Sequence, residues 1–208
     1  MDELYLVRHG ETQGESAVRL YGRTDIALSG AGREQMRRVG SALKGVAFDA
    51  VYASPMQRSL ESAQIVMLGR TPQPQCREEF REIDFGEWEG WRLKDAEQRA
   101  PEIFQEWKTA GVEFQFPGGD RKREFFERVA TAAADIFNAA GGRALAVLHK
   151  GVIKGTLAGL LARPVEDFAH HRIELGSIHI LRRAAGRWTL EAGNLTDHLG
   201  DSRIPESG

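Results

Sequence analysis

Three short segments of the chain are apolar at successive positions: "LYLV" (4–7), "FDAVYAS" (48–54) and "RALAVLH" (143–149). Short, mostly apolar runs of that length are the pattern of strands buried on both faces of a sheet. Elsewhere the apolar positions recur every three or four residues. After Ser29, a plausible N-cap, residues 31–44 put Met36, Val39 and Leu43 on one face with arginines opposite. Ser54-Pro55 supplies a cap and first turn for a helix over 55–68, which Gly69 closes. Residues 121–140 space Phe125, Phe126, Val129, Ala133, Ile136 and Phe137 as a helix does, up to Gly141-Gly142, and a further helix is expected at about 151–161. "SIHILRR" and "RWTLEA" flank Ala-Ala-Gly, the pattern of a hairpin.

Strands that alternate with amphipathic helices imply an α/β three-layer sandwich. It has a mainly parallel central sheet, one antiparallel edge strand and helices on both faces. The expected division is one domain over 1–198 with a loop or helical insertion at about 90–120, then a polar, frayed tail over 199–208.

In such folds ligands bind beyond the carboxyl ends of the strands. That rule selects loops 8–16, 54–58 and 149–151, and each bears a cation or a histidine: Arg8 and His9, Arg58, and His149. Arg8 and Arg58, the latter expected one turn into its helix, offer planar forks of donors suited to a phosphate edge. The amino end of the second helix adds positive dipole. His9 becomes a nucleophile if a backbone carbonyl holds its Nδ1–H and leaves Nε2 bare. Gly10 then lets backbone and ligand approach closely. The same arginines repel a cation, so a metal is not expected at His9 and His149, and no cofactor is called for. The adjacent pair His170-His171 diverges and fits a loop or surface role better than a metal site. Phe85, Trp88 and Trp91 fit core or lid packing.

Composition narrows the partners. The 208 residues suffice for a core without disulfides or metals, and the one cysteine, Cys76, has no internal partner, which fits a reducing compartment. No signal peptide or membrane-length apolar run is visible, and 28 basic against 30 acidic residues give no bulk reason to bind nucleic acid. The expectation is a cytoplasmic protein that binds neither membrane nor nucleic acid, with homo-oligomerisation left open.

Five motifs in order, "LVRHGET" (6–12), "YGRTDIALSGAG" (21–32), "YASPMQRSLESA" (52–63), "REIDFGEWEG" (81–90) and "VLHKGVIK" (147–154), resemble the histidine phosphatase superfamily, the phosphoglycerate-mutase-like proteins. The resemblance implies that His9 is phosphorylated, that Arg8, Arg58 and His149 surround the phosphoryl group, and that Glu82 is the proton donor. From spacing alone Asp84, Glu87 and Glu89 compete for that last role. The implied reaction is hydrolysis of a small phosphorylated metabolite with inorganic phosphate as product. A cofactor-dependent phosphoglycerate mutase is the alternative, although such mutases look longer after the tryptophan-glycine motif. A catalytically silent phosphate-binding regulatory module is the third reading. On the substrate side the motifs place Gly22, Arg23, Glu15 and Lys150. Glu15 stands where many relatives have an asparagine, and a carboxylate there calls for a cation. The expected partner is Lys150 or Arg23, with a Glu15–Lys150 pair at the pocket mouth favouring a leaving group with hydroxyls or an amine over a second phosphate.

Overall fold

A computed structural model describes residues 2–139 and 141–204. Its centre is a six-stranded sheet in the order β3-β2-β4-β1-β5-β6. The strands are β1 (Glu3–Arg8), β2 (Ala50–Ala53), β3 (Gln75–Cys76), β4 (Arg143–Leu148), β5 (Ile178–Ala184) and β6 (Arg187–Leu195). β1, β2, β3 and β4 are parallel, while β5 runs antiparallel to β1 and pairs with β6 as a hairpin. The antiparallel edge is that hairpin, turned by Ala185 and Gly186, both at positive φ, as a two-residue turn between twisted strands requires.

The period of two along the strands divides the core between the faces. On β4, Ala144, Ala146 and Leu148 join one cluster with Leu4, Leu6, Val129, Val152 and Leu157. Leu145 and Val147 join the other with Val7, Met36, Val39 and Ala63. The first cluster packs under α5 (Lys122–Asn138) and α6 (Lys150–Leu161), the second under α1 (Gly30–Ala42) and α2 (Gln57–Val66). This is the expected three-layer sandwich.

Ser29 caps α1 as its sequence suggests, its hydroxyl accepting the Gly32 N–H at 3.0 Å. The helix after Ser54-Pro55 begins later than expected, at Gln57 after an extended Met56. Its cap comes from far along the chain: Asp25 Oδ1 accepts the Gln57 N–H at 2.8 Å. Arg58 is therefore in the first turn, not one turn in. The segment 90–120 contains two short helices, α3 (Leu93–Arg99) and α4 (Pro101–Thr109). They pack through Trp88, Trp91, Phe104, Trp107, Phe114 and Phe116, a ring cluster with centroids 5.1–6.5 Å apart. Trp88 and Trp91 are packing residues. At the other end Leu199 is fully buried against Val7 and Met36, inside a 3-10 turn over Asp197–Ser202. The frayed tail expected from residue 199 therefore does not begin there, because Leu199 completes the second core cluster. Residues 205–208 and Ala140, the last residue of the expected third helix, lie outside the described residues. No helix among the described residues is long and apolar enough to cross a membrane.

Candidate active site

The carboxyl ends of β1 and β4 open on one pocket of about 410 Å³, while Arg58 and His149, both fully buried, are not among its lining residues. Arg8, His9, Glu82 and Lys150 line it, with Ser16, Arg19, Tyr21, Phe85, Arg92 and Lys94 further out. His9 leaves β1 with its N–H on Leu148 O at 3.0 Å, so β4 fixes its backbone. Its Nδ1 lies 2.8 Å from Gly10 O. A carbonyl only accepts, so Nδ1 bears the proton and Nε2 is the unprotonated nitrogen. A side chain at Gly10 would collide with Gly32 O, which is why the turn after His9 needs glycine.

His149, at the end of β4, is fully buried with its ring centroid 5.1 Å from that of His9. Neither of its ring nitrogens has a hydrogen-bond partner among the described residues. Burial, then Arg58 and Arg8, hold His9 well below the ordinary histidine range, and the Gly10 carbonyl only partly opposes them. Burial, Arg58, His9 and Arg8 do the same to His149. Both rings are neutral at neutral pH.

The arginines are built in from behind. Arg8 Nη1 donates to Ile173 O at 2.8 Å, and its backbone is tied to Ser177 and Gly176. Arg58 is completely buried and donates to three carbonyls of one loop: Thr24 at 2.9 Å, Tyr21 at 3.0 Å and Gly22 at 2.8 Å. Its Nε is left without a partner among the described residues. It is not a solvated surface residue.

Glu82 is half-buried, with Oε2 on the Gly151 N–H at 3.0 Å and Oε1 on its neighbour Ile83 N–H at 3.1 Å. Burial raises its pKa, against the pull of those N–H groups and of Arg58 and Arg8. Of the four acids that spacing left in competition, only Glu82 lines the pocket. Asp84 holds Arg23 at 3.3 Å and Glu87 is exposed. Glu89 is a loop anchor: it accepts the N–H groups of Gly22, Arg23, Phe85 and Thr24 at 3.0–3.2 Å, and the Thr24 hydroxyl. Its loop is the one whose carbonyls grip Arg58.

Glu15, Gly22 and Arg23, expected on the substrate side, do not line the pocket. Gly22 is buried and packed so tightly on Ile83 O that no side chain fits, and Arg23 pairs with Asp84. Glu15 does find cations, but they are Arg19 at 3.2 Å and Arg92 at 3.1 Å, not Lys150 or Arg23. The 15–19 turn and the start of α3 bring those three together, a contact between segments 77 positions apart. His171 packs on Phe168 and His179, as a structural residue does.

Comparison with known proteins agrees with this geometry. Residues 4–196 match the profile of the histidine phosphatase superfamily, branch 1. Phosphoglycerate mutase-like protein 4 of Arabidopsis thaliana is 30% identical over 99% of this chain and 90% of its own length. An adenosylcobalamin/alpha-ribazole phosphatase of Escherichia coli K12 is 30% identical over 83% of this chain and 86% of its own. The crystal structure of the alpha-ribazole phosphatase from Shigella flexneri superposes with a TM-score of 0.85 at 26% identity, covering 99% of this chain and 100% of that one.

Proposed function

The chain belongs to the histidine phosphatase superfamily and is a phosphatase of that type, and from that premise we propose that it hydrolyses a small phosphomonoester through a phosphohistidine at His9. The observation that supports this most is the opposed tuning of His9 and Glu82 in one pocket. Groups whose environments push their pKa values apart take opposite proton-transfer roles. Here burial disfavours protonation of the nucleophile and favours it at the acid.

In the first step Nε2 of His9 attacks phosphorus and the ester P–O bond breaks. The carboxyl of Glu82 gives its proton to the departing alkoxide. In the second step Glu82, now a carboxylate, takes a proton from water as that water attacks phosphorus. The P–N bond breaks, releasing inorganic phosphate and restoring neutral His9. Arg8, Arg58 through its unpartnered Nε, and His149 face the phosphoryl oxygens, where donors act on charge that builds in the transition state.

The test is a panel of phosphomonoesters, together with 3-phosphoglycerate plus a bisphosphoglycerate primer. Free phosphate is the expected product. Isomerisation without phosphate release would favour the mutase, and binding without turnover a silent module.

A further inference from the structure

The pocket is more positive than one phosphate requires. Beyond Arg8, its wall includes Arg19, Arg92, Lys94 and Lys150. Arg19 and Arg92 stand on fixed backbone. Arg19 Nη1 donates to Gly90 O at 2.8 Å, and the Leu20 and Gly90 N–H groups tie the two segments together. Arg92 opens α3 with its N–H on Asp95 at 2.9 Å, and its Nε is buried without a partner among the described residues.

Against this pair lies Glu15. One oxygen, Oε2, serves both guanidinium groups, so neither planar fork is filled by a matching carboxylate edge. The Glu15 side chain is 60% exposed, against 31% and 35% for the arginines. Its φ of 64° is a conformation that non-glycine residues rarely adopt. Exposed ion pairs of this sort are weak and easily exchanged.

Resting on the phosphatase reading above, we infer that Arg19 and Arg92 form a subsite for a carboxylate on the substrate, and that Glu15 occupies it as an internal stand-in until the substrate displaces it. A carboxylate is the fitting group because a carboxylate already sits there. Once the phosphate is held at Arg8 and Arg58, a carboxylate on the same molecule competes as an intramolecular ligand, at high effective concentration. The substrate is then a small phosphorylated acid, which suits a pocket of about 410 Å³. This reverses the expectation that Glu15 selects hydroxyls or an amine.

The experiment compares 3-phosphoglycerate with glycerol 3-phosphate, which differ in a carboxylate against a hydroxymethyl group. The wild type prefers the carboxylate by about tenfold or more in kcat/KM. Arg92→Met brings that ratio toward one, whereas Glu15→Gln raises it about two- to fivefold through KM, because the internal competitor is gone. A purely structural role for either residue would not move the ratio in opposite directions. Calorimetric titration of both esters into His9→Ala reads the same preference without turnover. A wild-type ratio near one, or a ratio unmoved by Arg92→Met, overturns the subsite. Hydrolysis of p-nitrophenyl phosphate reports separately on the phosphatase reading. Its absence would overturn that reading while the titration still decides the subsite.

Discussion

Glu89→Gln separates anchoring from acid catalysis. In the native protein both carboxylate oxygens are used: Oε1 by the N–H groups of Gly22, Arg23 and Phe85, Oε2 by the N–H and hydroxyl of Thr24. An amide has one acceptor oxygen. If it stays on the three-donor side, an NH2 group faces the Thr24 N–H and leaves that donor unsatisfied, which costs about 1–3 kcal/mol. The remaining bonds also lose their charge assistance, so the sum is about 2–3 kcal/mol. For a chain of this length that lowers Tm by about 5–10 °C. The freed loop is the one whose carbonyls hold Arg58. Misplacement of that arginine costs roughly tenfold or more in kcat/KM. The assay is thermal unfolding followed by circular dichroism, alongside phosphate release. A Tm within about 1 °C of wild type, less than the loss of even one satisfied donor would cause, would refute the anchoring role.

Glu82→Gln should slow esters with poor leaving groups by about 10²–10⁴-fold, with activated aryl phosphates far less affected. Equal losses for both would remove Glu82 as proton donor. At Gly151 a methyl group would lie 2.5 Å from Glu82 Oε1 and 3.2 Å from the Phe125 ring, so Gly151→Ala displaces the carboxyl and lowers kcat by about 10²-fold. An unchanged kcat would mean that the carboxyl acts from elsewhere. The pH profile of kcat/KM should be bell-shaped. His9 works unprotonated and its pKa is depressed, so activity persists well below pH 6.5, an ordinary histidine's midpoint. Glu82 works protonated and its pKa is raised, so the alkaline limb lies above the ordinary carboxylate value of 4.5 and disappears in Glu82→Gln. An acid limb at or above 6.5 would contradict the depressed His9.

How much of this was legible in the chain depended on distance along it. The strands other than the two-residue, exposed β3 and three of the main helices are readable because their signal is local: consecutive apolar residues in β4, the Ser29 cap of α1, the Phe125–Val129–Phe137 face of α5. His9, Arg8, Arg58 and His149 were readable because a parallel sheet collects its strand ends at one edge. The start of α2 was not, since Asp25 caps it from 32 positions away. Glu82 and Glu89 look alike in "REIDFGEWEG"; the position of one beside Gly151, and four backbone N–H groups of 22–24 and 85 with the Thr24 hydroxyl on the other, tell them apart. α3 and α4 are legible only as a loop or helical insertion without bounds, because they are short and mostly polar outside their aromatic contacts. Arg19 and Arg92 lie in segments without periodicity, so only the fold could show that Glu15 meets them.

The most direct test of the account is to trap the covalent state. A labelled phosphomonoester, quenched during turnover, should leave the label on protein in an acid-labile, base-stable form, mapped to the peptide that contains His9. His9→Ala should fold, take no label and retain less than about 1% of activity, since loss of a nucleophile costs several powers of ten. Label on another residue, a base-labile adduct, or a His9→Ala variant that still turns over would contradict it.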